Sequence, residues 1–404
     1  MRVVFLARNL AAGGAERALL HLVNRADGFT PVLALLQKRG RLLRELDPGV
    51  PLFDLSKGAR EPSTHDGPRP DADASLDEDE DVSGGPLRLL IESFRLKRLV
   101  VATDADVVST FLMRSHLIGL VAQTVFRMRA PVVLNIHVIV TQSAPFLYPS
   151  PLTRRLMKFF VRRLFPRADR IFVVTRAVKE DLVEHYGLPE SKVQVIHNAI
   201  DLSAIRRSAM ADPGLPARFA DGPLVVAVGR LVHLKGYDLL LRAVAGLDSP
   251  SRIGVVIIGE GPEHSALLGL ARELGIGDRV LVPGYTPNPW KYMARADVLA
   301  LPSRTEAFPN VIGEALALGV PIVASRCSEG VAEYLLGGEV GLLVAPESVE
   351  ALRDGLATVL GDARVRGRIA AGGAKRLEGF DVTRAVPAYG KALAIAAGDG
   401  ARGS

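Results

Sequence analysis

The sequence contains little cysteine and few aromatic residues. Cys327 is the only cysteine among 404 residues, which excludes an intramolecular disulfide and any zinc site held by several cysteines. Phenylalanine, tryptophan and tyrosine make up 5% of the chain, and no nucleic-acid recognition module is visible. A nucleic-acid binder is therefore the least favoured function class.

Long apolar runs are also missing. No uncharged run approaches the roughly 18 apolar residues that a membrane-spanning helix requires. The segment VVFLA near the N-terminus is too short for a signal-peptide core and leads directly into a glycine-containing turn, as a first core strand would. We therefore expect a cytoplasmic protein.

Acidic residues are concentrated in one segment. Residues 61–82 carry nine acids and one base, so this segment contributes −8 to a net charge of +6 and the rest of the chain carries +14. The basic remainder favours anionic partners such as nucleotides, nucleic acid or acidic lipid headgroups. We interpret 61–82 as a mobile insertion loop, because it is too poor in apolar residues to offset its ordering entropy. A lid, or an electrostatic partner for a basic surface, is the alternative.

The apolar pattern predicts two α/β domains. Runs rich in valine, isoleucine and leucine alternate with helix-length segments up to about residue 200, and the pattern begins again after Asp221. Such runs predict parallel sheets covered by helices on both faces. We predict two doubly wound, Rossmann-like domains that face each other across a cleft, at 1–203 and 223–380. The irregular segment 203–222 joins them, and a C-terminal helix at about 381–404 completes the first domain.

The stretch SRTEAFPNVIGEALALGVPIVA, from Ser303 to Ala324, runs from a strand end through a loop into a helix. Pro309 suits the first turn of that helix, whose start leaves the amides of Asn310 and Val311 as an anion site. Glu306 precedes this site and Glu314 follows it inside the helix. We predict that the two carboxylates hold the sugar and ribose hydroxyls of one nucleotide sugar. Two solvent-exposed glutamates are the simpler alternative.

A second stretch, LVVAVGRLVHLKGYDLLLRA, brings basic residues to a strand end. Gly229 and Arg230 end the strand, and Lys235 follows shortly before a helix. Arginine grips phosphate with two donors and lysine adds a compact charge, so the pair can offset a departing diphosphate. Solvated surface cations are the alternative.

Glycine and histidine supply weaker signals. Gly13 and Gly14 would let the backbone approach a ligand before a helix that begins near Ala15. The chain lacks the G-x-G-x-x-G spacing of a dinucleotide site, and the nearest match, GEGPEH, ends in His264. His137 ends a predicted strand on the ligand-facing side, whereas His197 is better explained as structural.

The triplets Asp104-Ala-Asp106 and Asp71-Ala-Asp73 give little support to a metal site.

These motifs resemble the retaining GT-B glycosyltransferases of family 4, the group 1 glycosyltransferases, over nearly the whole chain. The most specific part is the stretch from Glu306 to Glu314, which looks like the family's E-x7-E motif, supported by VGRLVHLKG, GEGPE and NLAAGGAER. Ala307 departs from the pattern, since many members have glycine there. The added methyl group puts the identity of the donor sugar in doubt.

The resemblance implies roles for single residues. Arg230 and Lys235 would bind the donor diphosphate, Glu306 and His137 the transferred sugar, and Glu314 the ribose. Gly14 would approach phosphate and acceptor, and the base would lie near Tyr285. Further donor-binding residues implied are Gly13, Gly229, Gly261, Phe308, Pro309, Asn310 and Val311. The resemblance also implies a retaining reaction without a metal or cofactor, in which a donor phosphate oxygen takes the acceptor proton.

The acceptor and the donor base stay open. Residues 150–170 contain seven arginines or lysines and one acid among leucine, methionine and phenylalanine at helical spacing. Such a helix either lies on an anionic membrane, which favours a lipid-linked acceptor, or simply has a buried apolar face.

We expect a UDP-sugar donor, with a GDP-sugar possible, and bacterial polysaccharide or glycolipid assembly. A sugar-nucleotide epimerase or hydrolase and a non-catalytic sensor are the alternatives.

Overall fold

The computed structural model describes residues 1–11, 13–57, 85–148, 150–219, 222–247 and 253–402. The chain divides into two compact units, Met1–Ala199 with Val382–Ser404, and Ile200–Asp381. The acidic segment 61–82, with its Asp71-Ala-Asp73 triplet, lies outside the described residues. Within the described ranges, no helix is both long and apolar enough to cross a bilayer.

Unit 1 is built on a seven-stranded parallel sheet in the order β3-β2-β1-β4-β5-β6-β7. Its strands are β1 (Arg2–Ala7), β2 (Thr30–Leu35), β3 (Leu52–Asp54), β4 (Val107–Phe111), β5 (Val132–Ile136), β6 (Arg170–Val173) and β7 (Val193–Val195). β1 lies between β2 and β4, with Phe5 opposite Leu33 of β2 and Ser109 of β4. Their nearly continuous burial explains why the apolar runs predicted six of these strands; β3, with three residues, was missed.

The helices of unit 1 are α1 (Gly14–Asn24), α2 (Pro86–Thr103), α3 (Met113–Thr124), α4 (Val140–Leu147), α5 (Pro151–Leu164), α6 (Arg176–Glu180) and the C-terminal α15 (Val382–Arg402). α15 packs into unit 1 through Tyr389, whose ring lies 5.4 Å from Phe172 and 6.4 Å from Phe5. The Tyr389 hydroxyl donates to Asn135 Oδ1 (2.9 Å) and lies 2.7 Å from Ser109 Oγ. The C-terminal helix is therefore part of the core of unit 1.

Unit 2 has a six-stranded parallel sheet in the order β10-β9-β8-β11-β12-β13. Its strands are β8 (Leu224–Val228), β9 (Gly254–Ile258), β10 (Val280–Gly284), β11 (Val298–Leu301), β12 (Ile322–Ser325) and β13 (Leu342–Val344). Its helices are α7 (Leu202–Ala209), α8 (Tyr237–Ala245), α9 (His264–Glu273), α10 (Trp290–Met293), α11 (Asn310–Ala317), α12 (Glu329–Tyr334), α13 (Val349–Gly361) and α14 (Ala363–Leu377). All six strands coincide with predicted apolar runs.

The boundary between the units differs from the predicted one. The segment 203–222 was expected to be an irregular linker, yet most of α7 lies within it. Ile205 is buried, and the Arg206 side chain donates to the Ala317 carbonyl of α11, so α7 belongs to unit 2. The chain passes between units at 199/200 and again at 381/382.

Candidate functional site in unit 2

The strand order places two loops at one point of the unit 2 sheet. β8 and β11 are neighbours, and the chain leaves them towards opposite edges of the sheet. Ligands of open α/β sheets bind at such a switch point, outside the carboxyl ends of the strands. The loop after β8 carries Arg230 and Lys235, and the loop after β11 carries Glu306.

The two loops touch each other through their backbones. Gly236 has a φ of 64°, and a Cβ built on it would lie 2.2 Å from the Pro302 carbonyl oxygen. Only glycine fits this conformation and this contact. It ends the short 3-10 turn His233–Lys235 and thereby directs Lys235 towards the loop after β11.

Lys235 and Glu306 form the centre of the cluster. Lys235 Nζ donates to Glu306 Oε1 at 2.5 Å, and Ser303 Oγ donates to the same oxygen at 2.8 Å. Ser328 Oγ donates to the Glu306 carbonyl at 2.6 Å and also caps α12. The Glu306 side chain is 11% exposed. Three donors therefore fix this carboxylate and its backbone before any ligand arrives.

Arg230 directly follows Gly229 at the carboxyl end of β8. Beside it lies Tyr237, a buried residue that the sequence reasoning missed, whose hydroxyl is 2.8 Å from a Cβ built on Gly229. Burial, and then the charge of Glu306, raise the pKa of Tyr237, while Arg230 opposes the shift. Tyr237 is therefore a neutral hydroxyl between the two charged groups.

Arg304 is a second residue that the sequence reasoning missed. Its guanidinium donates to both carboxylate oxygens of Asp238 at 2.9 Å and to the His233 carbonyl at 2.7 Å. Burial disfavours the charged carboxylate, but the guanidinium outweighs it and holds the pKa of Asp238 below its usual value. Arg304 thus clamps the loop after β8 to the loop after β11.

The start of α11 follows the predicted motif with a shift of one position. Pro309 is the N-cap rather than the first helical residue, so that Asn310 and Val311 open the helix. Glu314 lies half-buried in the second turn of α11. Glu306 and Glu314 therefore lie on either side of the helix start, as the motif predicts.

The Phe308 ring packs in the core of unit 2. Its ring is 7% exposed and stacks on Tyr334, with centroids 4.1 Å apart, and it also contacts Phe380 at 5.6 Å. Ala307, with 7% exposure, is buried as well. The ring therefore anchors the loop that carries Glu306, and the donor contact expected of Phe308 stays a prediction.

Gly261 and Tyr285 lie at neighbouring strand ends. A Cβ built on Gly261 would lie 2.4 Å from the Leu231 carbonyl oxygen, so this glycine permits close packing beneath the Arg230 loop. The amide of Tyr285, at the end of β10, donates to Glu260 Oε1 at 3.3 Å. Both residues lie along the carboxyl edge of the sheet.

Candidate residues in unit 1

His137 directly follows β5 at the carboxyl edge of the unit 1 sheet. Its ring lies 5.5 Å from that of Phe111, and both rings line a small cavity with Asn135, His197 and Tyr389. Desolvation by burial lowers the pKa of His137 to about 4, so the imidazole is neutral near pH 7. His137 is therefore suited to hydrogen bonding rather than to holding a positive charge.

His116 is a further buried imidazole in this unit. Its Nδ1 lies 2.8 Å from Thr110 Oγ1, and desolvation and then the nearby His137 lower the pKa of His116 to about 3. His197 Nδ1 lies 2.8 Å from the Val174 carbonyl oxygen, which agrees with its structural interpretation.

The glycine pair lies at the start of α1. Gly13 is the N-cap and Gly14 the first residue of α1, one position earlier than predicted. A Cβ on Gly13 would lie 2.3 Å from Glu16 Oε2. The Glu16 carboxylate therefore already lies over this helix start, and the sequence reasoning did not anticipate it.

The Asp104-Ala-Asp106 triplet lies at the opposite edge of the sheet. Asp104 ends α2, and Asp106 Oδ2 accepts a hydrogen bond from the backbone amide of Arg2, at the amino end of β1. These aspartates thus have structural contacts far from the carboxyl strand ends.

Comparison with known proteins

Two Rossmann-like units, one with a fixed carboxylate and basic residues at its switch point, define an α/β protein of the GT-B fold class. The model "Glycosyl transferases group 1" matches residues 216–376, and the model "Glycosyltransferase Family 4" matches residues 12–204. The chain belongs to this family of glycosyltransferases.

Individual relatives agree with the family. The chain is 32% identical over 280 residues to N-acetylgalactosamine-N,N'-diacetylbacillosaminyl-diphospho-undecaprenol 4-alpha-N-acetylgalactosaminyltransferase of Campylobacter jejuni, covering 69% of this chain and 74% of the relative. It is 30% identical over 292 residues to D-inositol 3-phosphate glycosyltransferase of Kribbella flavida, covering 68% of each. HepE of Anabaena, solved with UDP-glucose, superposes with a TM-score of 0.75 at 21% identity, covering 98% of this chain and 99% of HepE. This last similarity shows the fold.

Proposed function

We propose that the protein is a retaining, metal-independent glycosyltransferase that takes its sugar from a nucleotide diphosphate sugar. The observation that carries the proposal is the Lys235–Glu306 contact beside Arg230, at the switch point of unit 2. A UDP-sugar is favoured and a GDP-sugar is the alternative. HepE, which shares the fold, was solved with UDP-glucose.

The proposed chemistry assigns each charged group one task. Arg230 and Lys235 bind the diphosphate, where negative charge grows as the bond between the sugar C1 and the phosphate oxygen breaks. The bonding electrons stay on the diphosphate, the acceptor oxygen bonds to C1, and a donor phosphate oxygen takes the acceptor proton. Glu306 accepts hydrogen bonds from the sugar hydroxyls and Glu314 from the ribose. The neutral His137 contributes a hydrogen bond to the sugar.

The proposed acceptor is lipid-linked or a glycan, in polysaccharide or glycolipid assembly. The name of the Campylobacter relative specifies a diphospho-undecaprenol acceptor. In this chain, α5 leaves Leu152, Leu156 and Phe159 exposed at 74%, 45% and 55%, although Met157 and Val161 on the same helix are buried. The core-facing side of α5 therefore accounts for only part of its apolar residues.

We propose that α5 makes a peripheral contact with the cytoplasmic face of a membrane, and this arrangement supports the proposal. Its exposed apolar side chains recur at helical spacing among arginines and lysines, as in helices that lie in an anionic interface. Charge reversal at Arg154, Arg155 and Lys158 is expected to abolish binding to anionic vesicles at low salt. Charge reversal at Arg384 and Lys391, which are exposed on α15, is the matched control. Unchanged binding of the α5 variant would contradict this contact.

The activity is tested by incubating the protein with UDP-hexoses and a diphospho-lipid-linked sugar in the presence of EDTA. We expect UDP release that depends on the acceptor, and a product whose new linkage keeps the anomeric configuration of the donor by NMR. Acceptor-independent release of free sugar would indicate a hydrolase, and a changed sugar an epimerase. Donor binding without turnover in all acceptor mixtures would indicate a sensor.

A further inference from the structure

The helix that follows His137 has no side-chain cap of its own. α4 begins at Val140, three residues after His137, and the side chain of its N-cap residue, Ile139, makes no capping hydrogen bond. Ile139 and Val140 are each 5% exposed, so this helix start is buried. The first amides of a helix have no partner within the helix, and buried amides need an acceptor from elsewhere.

Asp181 supplies that acceptor from another part of the chain. Its Oδ2 accepts hydrogen bonds from the backbone amides of Val140 at 2.8 Å and Thr141 at 3.2 Å, and its Oδ1 accepts one from the Thr141 hydroxyl. The Asp181 side chain is 4% exposed. Hydrogen bonds to a carboxylate are strong, and the positive end of the helix dipole favours the same charge. Asp181 is therefore the N-terminal cap of α4, although it lies 41 residues beyond Val140 in the sequence.

The sheet order brings Asp181 to this place. β5 and β6 are parallel neighbours, so the chain leaves both strands at the same edge of the sheet. α6 follows β6 and continues into the π-helical turn Asp181–His185, a rare conformation that is frequent at functional sites. Arg162 of α5 donates to the His185 carbonyl at 2.9 Å and so holds the end of this turn. The carboxylate of Asp181 therefore has a fixed support.

His137 lies between two fixed points of the backbone. β5 holds it from one side, where its ring contacts that of Phe111 at 5.5 Å. On the other side, two residues separate it from Val140, whose amide Asp181 holds. The position of the imidazole at the carboxyl edge of the sheet therefore depends on where α4 begins, and Asp181 determines that place.

We propose that Asp181 is a positioning residue for His137: by capping α4, it holds the imidazole where a hydrogen bond to the donor sugar can form. The proposal rests on the task assigned to His137 under the proposed function. Displacement of an active-site group by about 1 Å can remove most of its effect on the rate. Without the carboxylate, the amides of Val140 and Thr141 must turn towards water, and the loop that carries His137 moves with them.

The opposite end of β5 provides a matched control. There Asp169 Oδ2 accepts hydrogen bonds from the Val132 amide at 2.7 Å and from Gln123 Nε2 at 2.6 Å. Asp169 therefore holds the same strand by the same kind of contact, but at the edge of the sheet away from His137. Its removal is expected to lower stability and to leave the imidazole in place.

Turnover of UDP-glucose with a diphospho-lipid-linked sugar gives the first readout. Asp181→Ala is expected to lower kcat/KM for the donor at least about tenfold, because His137 is no longer held against the sugar. Asp181→Asn is expected to stay within about threefold of the wild type, because its amide oxygen can accept from both backbone amides and its nitrogen can donate to the Thr141 hydroxyl. Asp169→Ala is expected to stay within about twofold. Calorimetric binding of UDP is expected to be unchanged in all three variants, because the residues assigned to diphosphate and ribose lie in unit 2.

The double variant His137→Ala/Asp181→Ala separates positioning from general damage to the protein. It is expected to be no more than about twofold slower than His137→Ala, because Asp181 acts through the ring that is already missing. Losses that multiply in the double variant would overturn the proposal. Wild-type turnover by Asp181→Ala beside a slow His137→Ala would overturn it as well.

NMR of the protein with isotope-labelled histidine side chains gives a readout that does not depend on activity. The chain has eight histidines, and the His137 and His116 resonances are assigned from His137→Gln and His116→Gln. In Asp181→Ala the His137 resonance is expected to shift further than that of His116, whose position shows that unit 1 is folded. In Asp169→Ala neither resonance is expected to shift.

An unshifted His137 resonance in Asp181→Ala would overturn the proposal whatever the turnover. A shifted resonance together with wild-type turnover by His137→Ala would confirm the cap and contradict the task that the proposed function assigns to His137. The two failures are thus distinguishable.

Discussion

Lys235 Nζ donates to Glu306 Oε1 at 2.5 Å, joining the loop after β8 to the loop after β11. The carboxylate keeps the lysine at the strand end where a diphosphate would bind, and the lysine holds the carboxylate in one orientation. Because each group orients the other, they are expected to act as a unit.

Glu306→Gln keeps the shape of the side chain and removes its charge. We expect kcat to fall at least about a hundredfold. The double variant Lys235→Met/Glu306→Gln is expected to be little slower than the slower of the two single variants, Lys235→Met and Glu306→Gln. Ser303→Ala, which removes only a neutral hydrogen bond to the same oxygen, is expected to cost about tenfold or less. Steady-state kinetics of the four variants check this, and strictly additive losses would show that the two residues act independently.

Arg230→Ala is expected to lower kcat at least about a hundredfold, the scale of losing one donor to developing charge in the transition state. Arg295→Ala provides the matched control, since Arg295 is exposed at the end of α10. Turnover by Arg230→Ala equal to that of the control would exclude the proposed role.

Arg304→Ala removes the bidentate contact with Asp238. We expect a loss of about 1–2 kcal/mol in the free energy of unfolding, because a partly exposed carboxylate loses both hydrogen bonds from the buried guanidinium. KM for the donor should also rise, since the two loops are no longer clamped together. Urea unfolding monitored by circular dichroism measures the first effect. Arg326→Ala, at an exposed pair with Glu329, should change stability by less than about 0.5 kcal/mol, and a similar loss there would argue against the clamp.

These residues also show how far the sequence could predict the structure. The strands and the Glu306–Glu314 segment were predictable, because buried parallel strands are continuous apolar runs and the helix start has a proline signal. The contacts of Arg304 and Tyr237 could not be predicted from the sequence, because they depend on the sheet order, which brings β8 beside β11. The resemblance implies a donor contact for Phe308, but it could not indicate that the ring would stack on Tyr334, because that contact depends on the tertiary packing.

His116 makes the stability of the protein depend on pH. Its folded pKa is about 3 against 6.5 in the absence of burial. As the pH falls below 6.5, the unfolded chain takes up a proton at this residue and the native state does not, so acid favours unfolding. His116→Gln is expected to reduce the loss of stability between about pH 6.5 and 4.5 by about 1.4 kcal/mol per pH unit. Urea midpoints that fall equally steeply with decreasing pH in the wild type and in His116→Gln would show that His116 does not cause this pH dependence.

Tyr389→Phe tests how the C-terminal helix is held in unit 1. The ring remains, but Asn135 Oδ1 loses the hydrogen bond from the tyrosine hydroxyl. We expect a loss of about 1–3 kcal/mol in unfolding free energy, the cost of an unsatisfied buried acceptor. Denaturant unfolding checks the value, with Ile395→Ser on the same helix as the control. A change no larger than that of the control would show that the hydroxyl does not hold α15.

The most direct test of the account is calorimetric titration of the wild type with UDP-, GDP- and ADP-glucose in the presence of EDTA, repeated on Glu314→Gln and Arg230→Ala. The account predicts that one nucleotide sugar, with UDP-glucose favoured, binds the wild type without metal and binds both variants at least about tenfold more weakly. No binding of any nucleotide sugar to the wild type, or equal binding to all three proteins, would contradict it.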